Sequence, residues 1–137
     1  MRSFITAAAF MAFAVAGCAS APSAQADLDD LFGGGRVSGS QLDARVAEAS
    51  THPLGSRENP IRTNMPEGQR AYLHSLRCPD GSAPPFERVG NFGPGVYGSI
   101  IDGYEVRCPD AEPMTLFMDM YHPDHVETAA PPGFTRQ

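Results

Sequence analysis

The stretch VYGSIIDGYEVRC, residues 96–108, decides the fold. Its β-branched and aromatic residues favour extended chain. Asp102 and Gly103 could close a tight hairpin, or they could sit inside one long strand that places Asp102, Tyr104, Val106 and Cys108 on a single face. The continuous strand is preferred. Three further runs of large apolar residues, 71–78, 86–90 and 114–121, are bounded by turn residues and read as strands. Pro79, Asp80 and Gly81 form a turn that should join the first two runs as a hairpin. The segment from Pro109 to Pro113 should join the last two in the same way.

The first run is ambiguous. Asn64 and Pro66 could start a helix with a stripe of Tyr72, Leu73 and Leu76. Strand is preferred because of an internal echo: Arg77, Cys78, Pro79, Asp80 recurs as Arg107, Cys108, Pro109, Asp110, and the second copy ends a clear strand. Towards the amino terminus, residues 40–50 read as a helix. Ser40 can cap it, Asp43 is a weak capping-box partner, Leu42, Val46 and Ala49 share a stripe, and Pro53 prevents continuation. The expectation is an α+β fold, mainly antiparallel β: a small disulfide-stapled sheet with one short N-terminal helix.

The chain is 137 residues long with a formal charge of -6, from 16 acidic and 10 basic residues. That length holds one modest domain, and that charge disfavours a phosphate-backbone binder, so no nucleic acid partner is expected. All ten basic residues are arginine, which with abundant Ala, Gly and Pro fits codon bias in a GC-rich genome. Residues 18–39 are mostly Ala, Ser, Pro, Gly and Asp, the composition of a flexible tether. Within them Leu28, Leu31 and Phe32 are spaced like one amphipathic turn, although chance explains so short a cluster.

Arg2 followed by an uncharged run from Phe4 to Gly17 reads as a secretory signal. As a helix, 14 residues would rise about 21 Å, short of the roughly 30 Å hydrocarbon core. The run ends in Val15, Ala16, Gly17, Cys18, which resembles the lipobox of bacterial lipoprotein precursors. The resemblance implies a diacylglycerol thioether on Cys18, cleavage just before it, and acylation of the new amino terminus. Several acyl chains satisfy the two-signal requirement for stable membrane attachment. Ala19, where Asp would retain the protein at the inner membrane in the enterobacterial pattern, suggests the periplasmic face of the outer membrane. An ordinary signal peptide cut near Ala19 or Ala21 is the alternative. The implied organisation is a lipoprotein signal peptide over 1–17, a tether over 18–39, a helix and connection over 40–56, a β-rich domain over 57–134 and a tail over 135–137. The segments from Tyr72 to Cys78 and Asp119 to His122 also resemble small uncharacterised bacterial exported proteins, a resemblance that carries no activity.

With Cys18 given to lipid, Cys78 and Cys108 remain as a pair in an oxidising compartment, and a disulfide is expected. The rival is a metal site drawn from His74, Cys78, Cys108, His122 and His125. On a strand, His74 and Cys78 lie about 13 Å apart, too far to share an ion, and only a helix brings them together. His122 and His125, in the polar cluster from Asp119 to His125, are the remaining metal or proton-exchange candidates, against a plain loop with two exposed histidines. Gly93, Pro94, Gly95, Val96, Tyr97, Gly98 matches GxGxxG formally, but no helix is expected to follow the glycines, so no nucleotide site is inferred. No GxSxG elbow occurs, and an SxxK site is impossible without lysine. Asp102 with Glu105, and Asp119 with Asp124, are read as solvated surface carboxylates.

No motif assigns a biochemical activity. The leading expectation is a non-enzymatic, lipid-anchored envelope protein whose partners are the membrane, through Cys18, and another envelope component. No cofactor is expected, and Phe92, Tyr97 and Phe134 are the candidate contact aromatics. The alternative is a small periplasmic hydrolase or metal-dependent enzyme using His122, His125 and Asp119.

Overall fold

The structure, a computed structural model, describes residues 37–137. The signal segment, Cys18 and the cluster Leu28, Leu31, Phe32 lie outside the described residues. Helix α1 is Gly39–Ala49. Its inward stripe is the expected one, with Ala49 buried and Leu42 and Val46 half-buried. Its cap differs from expectation: Ser38 stands at the N-cap position and makes no side-chain cap hydrogen bond. Ser40 lies inside the helix and caps nothing. The helix is tied to the loop before the central strand, where the Val37 N–H donates to the Tyr97 carbonyl at 3.2 Å and Arg45 donates to the Val96 carbonyl at 3.5 Å.

A short strand β1, Ile61–Arg62, is followed by helix α2, Met65–Ser75. This helix corrects the strand expected over 71–78. Pro66 sits in the first turn, where its missing N–H costs nothing, and Gln69, Tyr72 and Leu73 form an i, i+3, i+4 buried stripe. Extended chain begins only at β2, Leu76–Arg77. The remaining strands are β3 Phe86–Pro94, β4 Ile100–Val106, β5 Met114–Asp119 and β6 Thr135–Arg136. The result is an α+β fold whose four-stranded sheet has the order β1-β5-β4-β3, antiparallel except for the β1-β5 pair.

The two turns of the echo do different topological work. Residues 109–113 join β4 to its antiparallel neighbour β5, as expected. The Pro79–Gly81 turn does not make a hairpin of the first two runs. Instead β2 pairs with β6, with Leu76 opposite Arg136, and β3 pairs with β4, with Phe86 opposite Val106. The last three residues, expected as a tail, thus supply a strand. What the echo does share is a turn: the Gly81 N–H donates to the Cys78 carbonyl at 2.9 Å, and the Ala111 N–H to the Cys108 carbonyl at 3.4 Å, with proline at each first corner. The repeated residues encode two turns held together by the Cys78–Cys108 disulfide, whose Cα atoms are 5.7 Å apart.

Asp102 and Gly103 are interior to β4, so the continuous strand is correct there, but residues 96–99 belong to the β3-β4 connection. The GxGxxG match runs from the end of β3 into that connection, with Gly98 in the left-handed region at φ 80°, and leads into a strand, not a helix. The Asp102, Tyr104, Val106 face of β4 turns towards α2. There Tyr104 and Val106 join Ile61, Tyr72, Leu73, Leu76, Leu116 and Met118 in one core. On the opposite face the Phe92 ring lies so close over Gly103 that a Cβ there would meet it at 2.4 Å, and Phe92 stacks edge-on with Phe117 at 5.1 Å.

Candidate functional site

The candidate site forms where β5 ends beside the chain leaving β1. Residues 119–122 continue the pairing of these elements in irregular form. The Thr63 N–H donates to the Asp119 carbonyl at 2.8 Å, the His122 N–H to the Thr63 carbonyl at 3.0 Å, and the Met65 N–H to the Met120 carbonyl at 2.8 Å. This anchoring turns both Asp119 and His122 inward. Asp119 is fully buried and His122 is 7% exposed.

Asp119 Oδ1 accepts the Tyr121 N–H at 3.0 Å, which fixes the carboxylate locally. Its other oxygen, Oδ2, stands 3.4 Å from His122 Nε2. Neither atom has a hydrogen-bond partner among the described residues, so each is the other's nearest compensation for lost water. The imidazole is held from the side by Tyr97, edge-on at 5.2 Å, and the Arg62 guanidinium lies 5.9 Å from the centre of the same tyrosine ring. Burial pushes the Tyr97 hydroxyl above its ordinary value, opposed by Arg62. The Ser99 hydroxyl is also buried without a partner among the described residues.

His122 forms part of the wall of a cavity of about 420 Å³ between the start of α1 and the loop after β5, with Arg62, His125, Asp124, Val37 and Leu42 among its other walls. His125 is half-buried and lies 3.2 Å, through Nε2, from Glu127 Oε2. Burial alone would raise the Glu127 carboxyl. Hydrogen bonds from the Ala129 and Thr128 N–H groups and from His125 outweigh it and hold the acid below the usual carboxylate range. A second cavity of about 230 Å³, on the far side of Arg62 and His125, is bounded by Gly68, Tyr72, Glu127 and Arg136. Arg62 and His125 therefore wall both spaces.

Three of the residues named from sequence, Asp119, His122 and His125, come together here, although Asp119 stands behind His122 and does not line the cavity. Neither histidine is the exposed loop residue of the plain alternative. His74 is elsewhere, exposed on α2 and packed edge-on against Phe86 at 5.0 Å. Cys78 and Cys108 are consumed by their disulfide, so the five-donor metal set does not assemble, and among the described residues no group of three or more His, Cys, Asp or Glu could hold a metal ion.

The carboxylates need correction too. Asp102 and Asp119 are buried, not solvated; only Asp124 and the half-buried Glu105 fit the surface description. Asp102 accepts from Arg88 at 2.6 Å and from Gln69 at 3.3 Å, and the Tyr104 hydroxyl donates to Gln69 at 2.9 Å. That network ties α2 to β4 and is structural. Of the expected contact aromatics, Tyr97 is 1% exposed, while Phe92 and Phe134 are half-buried, so these three do not form an exposed apolar patch. Arg62 and Glu127 were missed because nothing in their local sequence distinguishes them; only the β1-β5 pairing and the return of the chain from Pro123 bring them to the site.

Among the described residues, no helix is long and apolar enough to cross a membrane. No family model matches the chain, and neither a curated protein nor a solved structure matches it.

Proposed function

We propose that the chain is a lipid-anchored protein of the bacterial cell envelope, held at the periplasmic face of the outer membrane by acyl chains on Cys18. Its folded domain serves there as a non-enzymatic binding module. The supporting observation is the Cys78–Cys108 disulfide. Such a bridge belongs to an oxidising compartment, and it uses two of the three cysteines, leaving Cys18 for the lipid chemistry that Val15, Ala16 and Gly17 suggest. The test is the intact mass of the protein extracted from membranes. A chain beginning at Cys18 and carrying diacylglycerol and an acyl group is expected, with Cys18→Ser moving the domain to the soluble fraction. An unmodified mature chain in the membrane extract would overturn the proposal.

One observation favours a second reading. The Asp119–His122 pair resembles the arrangement in which a carboxylate orients an imidazole so that its other nitrogen can take a proton from water or substrate. His122 forms part of the wall of the larger cavity with His125 and Asp124, which is the setting a small hydrolase requires. A screen of ester, amide and phosphate substrates separates the two readings. Turnover abolished by His122→Gln in a folded protein would replace the binding module with the enzyme.

A further inference from the structure

Arg62 has an unusual position among the arginines of the described residues. Arg45 and Arg57 donate to backbone carbonyls, Arg70, Arg88 and Arg107 pair with carboxylates, and Arg77 and Arg136 bond carbonyl or hydroxyl oxygens. Arg62 does none of these among the described residues. It is half-buried, with its guanidinium over the Tyr97 ring at 5.9 Å, and it walls both cavities. A guanidinium with no hydrogen-bond partner among the described residues, standing beside a cavity, is suited to bidentate capture of a carboxylate or phosphate.

The rest of the larger cavity fits the same guest. His122 and His125 bring two imidazoles to its wall, and the acid beside each is already engaged: Asp119 with His122, and Glu127 with His125 and two backbone N–H groups. The first turn of α1, at Ser38 and Gly39, also borders the cavity with no side-chain cap among the described residues. Val37 and Leu42 supply an apolar wall. The one acid lining this cavity is Asp124, which is exposed. A volume of about 420 Å³ is within the range of small-molecule sites.

We infer that this cavity binds a small organic anion, with its carboxylate or phosphate group on Arg62 and its apolar body against Val37 and Leu42. The chain as a whole is acidic, at -6, so the attraction is local and not a long-range field. The inference does not depend on the lipid on Cys18 or on the hydrolase reading, since it requires no anchor and no turnover.

The test is calorimetric titration of the full chain, purified in detergent, with benzoate and phenyl phosphate as the anionic probes and benzamide as the neutral one. Saturable binding of at least one anion is expected, with benzamide about tenfold weaker or more, the size of a lost charge-assisted hydrogen bond. Comparison of the two anions tells whether a carboxylate or a phosphate is preferred. Arg62→Gln should weaken the anion about tenfold while leaving a cooperative melt. Should that variant not fold, Arg62→Lys keeps the charge, removes the fork, and should weaken binding severalfold. Absence of binding by both anions, equal binding of benzamide, or undiminished anion affinity in a folded Arg62 variant would each overturn the inference.

Discussion

Oδ2 of Asp119 and Nε2 of His122 face each other at 3.4 Å in a place water does not reach. The pair is more than a site feature, because Asp119 Oδ1 also holds the Tyr121 N–H and the His122 ring supports Tyr97. Removing one partner strands the other. Asp119→Ala is expected to lower the unfolding free energy by about 2–4 kcal/mol, and Asp119→Asn by less, since an amide oxygen can still accept from Tyr121. A double-mutant cycle with His122→Ala in chemical denaturation should give a coupling of about 0.5–3 kcal/mol. Additive losses would mean that the two side chains are neighbours without interacting.

The disulfide joins the end of the α2-β2 segment to the end of β4, across a sequence separation of 30 residues. In the chain-entropy treatment a loop of that size gives about 3–4 kcal/mol of stabilisation, arising chiefly in the unfolded chain. The core it supports is one cluster of eight buried residues, so this contribution is large in proportion. Replacing both cysteines by serine should lower stability by about that amount and leave the secondary structure intact at low temperature. A change below about 1 kcal/mol in urea midpoint analysis would show that the two turns hold their places without the bridge.

The sheet was legible because strands carry their own signal: β4 and β5 are short runs rich in large apolar residues, and the turn between them has its proline at the first corner. The helix α2 departs from the strand expectation because an echo of four residues describes only the turn and not what precedes it. Arg77 and Cys78 share with Arg107 and Cys108 only the turn that follows, while the periodic stripe of Gln69, Tyr72 and Leu73 determined the conformation before it. The stripe was partly hidden because its first member is polar. Gln69 is buried at 0% exposure only because Asp102 and Tyr104, more than 30 residues away, satisfy its amide. The site was legible to a similar degree. Asp119, His122 and His125 stood out as a polar cluster, whereas Arg62 and Glu127 reach them through long-range pairing that no local pattern announces.

The carboxy-terminal strand leads to a prediction that no reading of residues 135–137 as a tail would make. The Arg136 guanidinium lies 4.6 Å from the centre of the Tyr72 ring, donates to the Ser75 hydroxyl at 2.8 Å and bonds the Glu127 carbonyl, while the Gln137 N–H donates to the Ser75 carbonyl at 3.0 Å. Deleting residues 135–137 removes the β2-β6 pairing and uncovers Tyr72. A loss of about 2–3 kcal/mol is expected, with Arg136→Ala alone accounting for about 1–2 kcal/mol through its cation–π and hydrogen-bond contacts. Thermal melts of the two variants check this. A truncated chain that melts with the parent would show that β6 is incidental to the fold.

Three of the four tyrosines should make the protein sensitive to alkali. Burial raises the hydroxyls of Tyr72, Tyr97 and Tyr104, opposed in turn by Arg136, Arg62 and Arg88. Tyr72 is the most shifted, and its hydroxyl donates to the Ala129 carbonyl at 2.9 Å, a bond the phenolate could not make. Below the ordinary tyrosine value of about 10, these phenols are neutral in both folded and unfolded chains, and their contribution to stability is complete. Above it the unfolded chain releases its phenolic protons while the folded chain retains them. Stability therefore declines as the pH rises from about 10 towards the raised native values. The chain contains no tryptophan, so tyrosinate absorbance reports the titration directly. The three buried phenols should ionise together with loss of the sheet signal in circular dichroism, and Tyr72→Phe should shift that transition to higher pH. Ionisation of all four tyrosines near pH 10 with the sheet intact would contradict the burial that defines this core.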